Sequence, residues 1–489
     1  MIGQAPTSGV VRRSVVSLFV ANSVSFATLG LSYLLYSRLL SPVQFGLYST
    51  ALVIGTFGQL ILDGGLKNTI IKAPNPPDRD QQGTVVFLMA ASSVVLVIAL
   101  ALGGQPIGAF YPAARQDYQF LAAFGALYLI SYPWLAVPTA FLERGFAYRR
   151  VAVIESAGQV LERATPALFL LLTPLGMGSF LLGLLLGRAF KVAAINLAYR
   201  APFHVPTWTQ VKDTAHLITE GGWLQLGTFA SQLRDSLHVL IVGPLFGQAW
   251  VGYYGWCLQL ALITSQTFVQ ISARVSVPVF AQSEGFETRW RHCLAQIRLL
   301  TILTAPMMMA ALLVLPTVNA HLFHGKWGPA LAILPLILLR MLPGLATTPV
   351  GALVMVHRGG RALAAALISW TALELVGGIA LSLLVGTTGL AWSYAFVVWI
   401  GLFVLVRALG VHPGRLLADT AKAILGRPSL VIAVLVAGLL IVALTMAGKI
   451  AALPYALALA PAVAIVGAAY LSERDVRRFL PLRVSRTGA

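Results

Sequence analysis

Leu39-Leu40-Ser41-Pro42-Val43-Gln44-Phe45-Gly46-Leu47-Tyr48 is a short turn, after which Gly46-x-Tyr48 opens a long apolar helix. About 206 residues later the pattern returns as Leu245-Phe246-Gly247-Gln248-Ala249-Trp250-Val251-Gly252-Tyr253-Tyr254. Pro174-Leu175-Gly176-Met177-Gly178 echoes Thr387-Thr388-Gly389-Leu390-Ala391 at an offset of about 213. About six apolar runs separate the copies, an even number. The halves would then run the same way through a membrane, related by an axis along its normal. Gly-rich turns that look alike by chance are the plain alternative. Agreement of position, spacing and topology favours the repeat.

Working outward from that turn, the chain breaks into apolar runs long enough to cross a bilayer, each about 20 residues. They fall near 14–37, 43–71, 83–104, 118–141, 151–173, 177–199, 214–242, 250–281, 289–318, 329–356, 360–385, 389–409, 429–447 and 451–471. Hydrophobic residues make up 58% and charged residues 10%, far from a soluble domain. Lys and Arg total 34 against 16 acids, a formal charge of +18. These cations sit in short segments between apolar runs, so membrane loops explain them and nucleic acid does not. With the N-terminus in the cytoplasm, about 25 of them lie inside, among them Arg188 and Lys191. About four, Arg38, Arg115, Lys326 and Lys449, lie outside, and Lys67, Arg163, Arg234, Arg274 and Arg340 fall within spans. Both termini are therefore expected to be cytoplasmic.

The first run is too long for a signal-peptide core and reads as a retained helix. Cys257 and Cys293 are the only cysteines, near opposite faces, and can build neither a disulfide nor a metal site. His321-x-x-His324 has no carboxylate beside it, so no metal is expected. A phosphate-binding Gly-x-x-x-x-Gly-Lys loop and a Ser-His-Asp grouping are absent, and no cofactor is expected. Short outside loops argue against a polymerase or ligase.

The run Arg38 to Tyr48, followed by Leu62-Asp63-Gly64-Gly65-Leu66, resembles the opening of the polysaccharide-transport (Wzx-type) flippases of the MOP exporter superfamily. Phe141-Leu142-Glu143-Arg144-Gly145-Phe146-Ala147-Tyr148-Arg149-Arg150, leading into Glu155, is similar to that family's loop after the fourth helix. The resemblance implies an all-α polytopic membrane protein of about 14 transmembrane helices, MATE/MOP-like. Two six-helix lobes, 1–205 and 206–412, would stand in parallel pseudo-twofold repeat, with two further helices and a basic tail in 413–489. It further implies alternating access about a central cavity, carrying a polyprenyl-pyrophosphate-linked oligosaccharide across the bacterial inner membrane.

Charges inside a bilayer cost roughly 2.5–3.5 kcal/mol on insertion scales, so each asks for a partner or a function. Gln59, Asp63 and Lys67 at spacing four would share one helix face. Gln259, Gln266, Gln270 and Arg274 form a similar stripe about 207 residues on. Snorkelling to the headgroups is the plain reading of Lys67 and Arg274, though lipid-facing glutamines gain nothing. Asp63 would neutralise Lys67 within the helix. Arg163, Arg234 and Arg340 complete a ladder of cations suited to a pyrophosphate, since guanidinium groups match phosphate oxygens. Glu162 and Asp235 adjoin two of these cations but point elsewhere. Interhelical pairing is as good a reading for Arg163. Asp63, Glu155, Asp235 and Glu374 are candidate ion-coupling groups, the plainer role for Glu155 and Glu374 being a hydrogen bond to an arginine such as Arg340. Asn22, Ser25, Ser32 and Tyr36 give the first helix a polar face that suits packing or sugar hydroxyls.

The expected function is a flippase with no covalent chemistry, serving exopolysaccharide or O-antigen synthesis. Its partners would be the lipid-linked oligosaccharide, membrane lipids, and a polymerase and glycosyltransferases of the same pathway. A MATE-type multidrug or cation antiporter is the first rival, but cationic drugs want acidic, aromatic cavities. A membrane-embedded polysaccharide polymerase is the second.

Overall fold

The computed structural model describes residues 28–72, 76–104, 115, 117–145, 147–220 and 222–425. Among these, every regular element is helical. The runs expected at 429–447 and 451–471, and the polar positions Asn22 and Ser25, lie outside the described residues. Two compact units emerge. The first takes in the described residues up to Trp256 together with Gly378–Leu390; the second holds Cys257–Gly377 and the described residues from Ala391 onward.

In the first unit, helix α1 covers 28–39. Helix α2, Pro42–Asp63, starts on a reciprocal cap: Ser41 Oγ accepts from the Gln44 backbone N–H at 3.2 Å, and Gln44 Oε1 accepts from the Ser41 N–H at 2.9 Å. Pro42 at the first helical position has no N–H to leave unsatisfied. The single helix expected over 43–71 is not formed. Gly64 (φ 51°) and Gly65 (φ 84°) turn left-handed, the helix stops at Asp63, and a short helix α3 resumes over Leu66–Lys72. Only glycine enters that region without strain. Asp63 and Lys67 therefore sit on different segments, and the expected pairing within one helix is overturned.

Helix α4, Arg79–Leu102, is capped in the same reciprocal way by Asp78 and Gln81. The run expected over 118–141 is two helices, α5 (Tyr118–Ser131) and α6 (Pro133–Arg144), bent by 41° at Tyr132. Pro133 lacks the N–H that would carry the ladder through. α3 and α6 share a core of Leu66, Ile70, Ala136, Val137 and Ala140 with Val85, Val86 and Met89 of α4. Helices α7 (Tyr148–Leu172) and α8 (Gly178–Ala198) form a hairpin. The run expected over 214–242 becomes α9 (Trp208–Glu220), α10 (Gly222–Asp235), a π-helical turn His238–Val242 and α11 (Gly243–Phe246).

Helix α12, Gln248–Gln282, begins in this unit, and its first turns lie against the start of α2. A Cβ on Gly46 would fall 2.1 Å from the Gln248 carbonyl oxygen, and one on Gly252 would fall 1.9 Å from that of Pro42. Gln248 Nε2 donates to Thr50 Oγ1 at 3.0 Å, and Trp256 Nε1 to Ser37 Oγ at 2.8 Å.

The second unit is built from the rest of α12 with α13 (Phe286–His321), α14 (Gly328–Arg358), α15 (Gly360–Val385) as far as Gly377, α16 (Gly389–Ala408) from Ala391, and α17 (Pro413–Leu425). Phe280, Trp290, Ile297, Val350, Trp370 and Val398 are among its buried core. α17 docks on the start of α13: Trp290 Nε1 donates to Asp419 at 2.9 Å, and Arg415 meets both oxygens of Glu287 at 2.7 and 2.8 Å. That carboxylate holds the exposed Arg415 guanidinium above its ordinary pKa. Cys257 and Cys293 are free, buried thiols.

Five helical stretches among the described residues are long and apolar enough to cross a membrane, six if bent α5–α6 counts as one span. One of the five, Gly360–Ala408, has 49 residues. At 1.5 Å per residue that is roughly 73 Å, more than twice a hydrocarbon core of about 30 Å. The 3₁₀ turn at Gly386–Thr388 divides it into α15 and α16. The protein is thus polytopic. α7 is not among the five, because any 18 consecutive residues of it contain Glu155, Glu162 and Arg163.

Candidate functional site

The charges that exclude α7 from that set are answered from α8. Glu162 Oε1 accepts from Lys191 Nζ at 2.8 Å and lies 3.1 Å from Arg188 Nε. Glu155 Oε2 lies 3.7 Å from the same Lys191 nitrogen. The Arg188 guanidinium carbon stands 3.9 Å over the centre of the Tyr128 ring. Arg188 and Lys191 are buried, ten and thirteen residues into a 21-residue helix. The expectation that counted them among cytoplasmic charges is corrected. Loop charges do not lie that deep in an apolar helix.

Helix geometry explains the meeting. Glu155 and Glu162 are seven apart and so share a face of α7; Arg188 and Lys191, three apart, share a face of α8. The axes must approach closely for short side chains to touch. Gly158 on α7 and Gly183 and Gly187 on α8 permit it, the last two at the small-xxx-small spacing of membrane helix pairs. A Cβ on Gly158 would lie 2.3 Å from Lys191 Cγ, and one on Gly187 2.3 Å from Glu162 Cγ.

Arg163 is half-buried, and its backbone carbonyl accepts from the Tyr36 hydroxyl. Its charge acts on Tyr36, Tyr48 and Tyr128, and the charge of Glu162 acts on the last two of these. Arg163 follows Glu162 directly in α7, so three cations, Arg163, Arg188 and Lys191, and two carboxylates belong to this hairpin, with Arg188 over the end of an aromatic row of Tyr48, Phe124 and Tyr128. Tyr48 to Phe124 is 6.2 Å and Phe124 to Tyr128 5.5 Å between ring centres.

The other expected residues are dispersed. Lys67 Nζ donates to Glu143 at 3.0 Å, both partly exposed. Asp63 instead accepts from the Tyr132 hydroxyl at 2.9 Å and from the Gly65 N–H at 3.2 Å. Gln59 is half-buried. Arg234 is buried, with Nε 3.7 Å from its neighbour Asp235, so adjacency in sequence does give contact there. The side chains of Gln266, Gln270 and Arg274 lie outside the described residues.

Within the second unit, Arg340 is buried with its guanidinium carbon 4.1 Å from the Tyr394 ring centre. Glu374 is fully buried and accepts from Trp370 Nε1 at 3.2 Å and Ser393 Oγ at 3.3 Å. Among the described residues no group of three or more His, Cys, Asp or Glu side chains is placed to hold a metal.

Residues 35–332, more than half of the chain, match the family described as "Polysaccharide biosynthesis protein". An uncharacterized membrane protein in the cps region of Klebsiella pneumoniae is 21% identical over 341 residues, covering 68% of this chain and 69% of its own. The lipopolysaccharide biosynthesis protein WzxC of Escherichia coli K12 is 21% identical over 320 residues, covering 65% and 64%. The aligned regions thus span about two thirds of these relatives. Among solved structures, the lipid II flippase MurJ in an inward closed conformation superposes with a TM-score of 0.73. It is 12% identical, covering 94% of this chain and 99% of that one, and shares the fold. The chain belongs to the polysaccharide biosynthesis protein family.

Proposed function

We propose that the protein is a flippase that carries a polyprenyl-pyrophosphate-linked oligosaccharide repeat unit across the bacterial inner membrane by alternating access. The observation that carries this reading is the charged hairpin of α7 and α8, to which three cations and two carboxylates belong. Excess positive charge at that depth is expensive unless an anion uses it. A diphosphate offers several acceptor oxygens, and Arg and Lys supply eight N–H donors between one of each. A relative named for lipopolysaccharide biosynthesis and a fold shared with a lipid flippase support the same substrate class.

The protein acts as a carrier, not an enzyme. Arg163 is its central substrate contact, with Lys67, Arg234, Arg274, Arg340, Gln59, Gln266 and Gln270 along the path. Asp63, Glu155, Asp235 and Glu374 serve as coupling groups. About 14 transmembrane helices comprise two six-helix lobes in parallel repeat, 1–205 and 206–412, and two further helices with a basic tail in 413–489, with both termini cytoplasmic. A polymerase and glycosyltransferases of the same pathway are its partners.

Reconstitution in proteoliposomes tests the reading. With a fluorescent polyprenyl-diphosphate oligosaccharide in both leaflets, a membrane-impermeant quencher should reach about half the label in empty vesicles. It should reach nearly all of it when the protein is present. An unchanged accessible fraction would refute the flippase reading, and a chemically altered sugar would favour a polymerase.

A further inference from the structure

Lys191 is gripped unequally by its two carboxylates. Glu162 is 2.8 Å away, its side chain 15% exposed, and it is braced by Arg188 on the same oxygen. Glu155 is 3.7 Å away and its side chain is 36% exposed; Lys191 is the one cation within 4.0 Å of it among the described residues. The Lys191 side chain itself is 5% exposed. Glu155 and Glu162 are roughly 10.5 Å apart along the axis of α7 at 1.5 Å per residue. The ammonium of Lys191 lies between them because Gly158, midway, lets its stem lie flat on the helix. One carboxylate thus belongs to the buried frame of the hairpin. The other is a longer-range partner of the same ammonium, with more of its side chain at the surface.

We propose that Lys191 is a diphosphate-binding residue and that Glu155 is its exchangeable counter-ion. An arriving diphosphate takes the place of Glu155 on Lys191, while Glu162 stays fixed between Lys191 and Arg188. This rests on the reading of the protein as a carrier of diphosphate-linked lipid. The ammonium has three donors; Glu162 takes one, so an anion can be accepted without dismantling the anchor. Glu155 cannot remain in place as the anion enters, because two anions would then compete for one side of one cation. The exchange moves charge without leaving a buried cation bare at any stage, a state that would be strongly unfavourable. Binding is thereby tied to release of the Glu155 carboxylate, as a coupling group requires.

The test is binding of polyprenyl diphosphate to the full chain in nanodiscs. E155Q removes the competing charge and should bind about tenfold more tightly than wild type. The double variant E155Q/K191Q removes one charge of each sign, which spares the fold, and should lose that gain and bind more weakly than wild type. Polyprenol without phosphate, run in parallel, should distinguish none of the three proteins. Inorganic pyrophosphate added as competitor should displace the lipid if the free diphosphate alone is recognised. If the anchored headgroup is required it should not displace it, and in both cases the E155Q gain should persist. E155Q binding no more tightly than wild type, or E155Q/K191Q binding as tightly as E155Q, would overturn the exchange while leaving the flippase reading intact. Wild type that binds no polyprenyl diphosphate at all would overturn both.

Discussion

At the scale of single residues, Glu162 carries a double load: one carboxylate oxygen serves two buried cations. Removing its charge would take from Arg188 the one carboxylate within 4.0 Å of it among the described residues and leave Lys191 only the looser Glu155. Breaking a buried pair from one side typically costs about 3–5 kcal/mol. E162Q should therefore lower the thermal unfolding midpoint in detergent by several degrees or abolish folded yield. A midpoint within a degree of wild type would mean that other groups neutralise the two cations. The sequence carried a signal for this pairing that hydropathy counting passed over. Glu155 and Glu162 repeat at seven on one run, and Arg188 and Lys191 at three on the next, each a single helix face. Two adjacent runs with opposite charges on one face are more economically paired than sent to a loop. The polar stripe of Gln59, Asp63 and Lys67 misled for the opposite reason, because spacing four implies a shared face only if the helix is unbroken.

At the scale of elements, the break after α2 is legible in the sequence. Asp63-Gly64-Gly65 is a turn signal inside an apolar run, and the run's length alone suggested a single span. What could not be read is that the partner helix breaks beside it. The Tyr132 hydroxyl, at the bend between α5 and α6, donates to Asp63, at the end of α2. Beyond the two breaks, α3 and α6 are tied by Lys67 to Glu143, and by Arg144 donating to the Ile70 carbonyl at 2.8 Å. Two bent helices thus share one joint and one distal segment. Ala at position 65 would have to hold φ near 84°, a left-handed conformation that costs roughly 1–2 kcal/mol for a residue with a Cβ. G65A should therefore lower stability to chemical unfolding by about that amount. G30A in α1, where a Cβ meets nothing within 4 Å, should not. Equal effects of the two variants would show that helix propensity rather than the joint governs position 65.

At the scale of the whole molecule, the turn that opened the sequence reading meets its own echo. Gly46 faces the carbonyl of Gln248 and Gly252 faces that of Pro42. Pro42 and Gln248, like Gly46 and Gly252, differ by the repeat offset of about 206 residues. The contact maps onto itself when the two copies are exchanged, which chance similarity of Gly-rich turns would not require. A reciprocal contact of this kind makes a demand that a one-sided contact would not. Each Cβ would meet backbone at about 2 Å, where no side chain can yield, so the helices themselves must separate. Overpacking of that kind costs about 1–3 kcal/mol. G46A and G252A should therefore destabilise by similar amounts. Once one Cβ has parted the helices the second has room, so the double variant should lose clearly less than the sum, a coupling expected only for residues that share a contact. Chemical unfolding of the four proteins measures the cycle. Tolerance at one glycine and not the other, or strictly additive losses, would mean that the symmetry of the contact is not an energetic one.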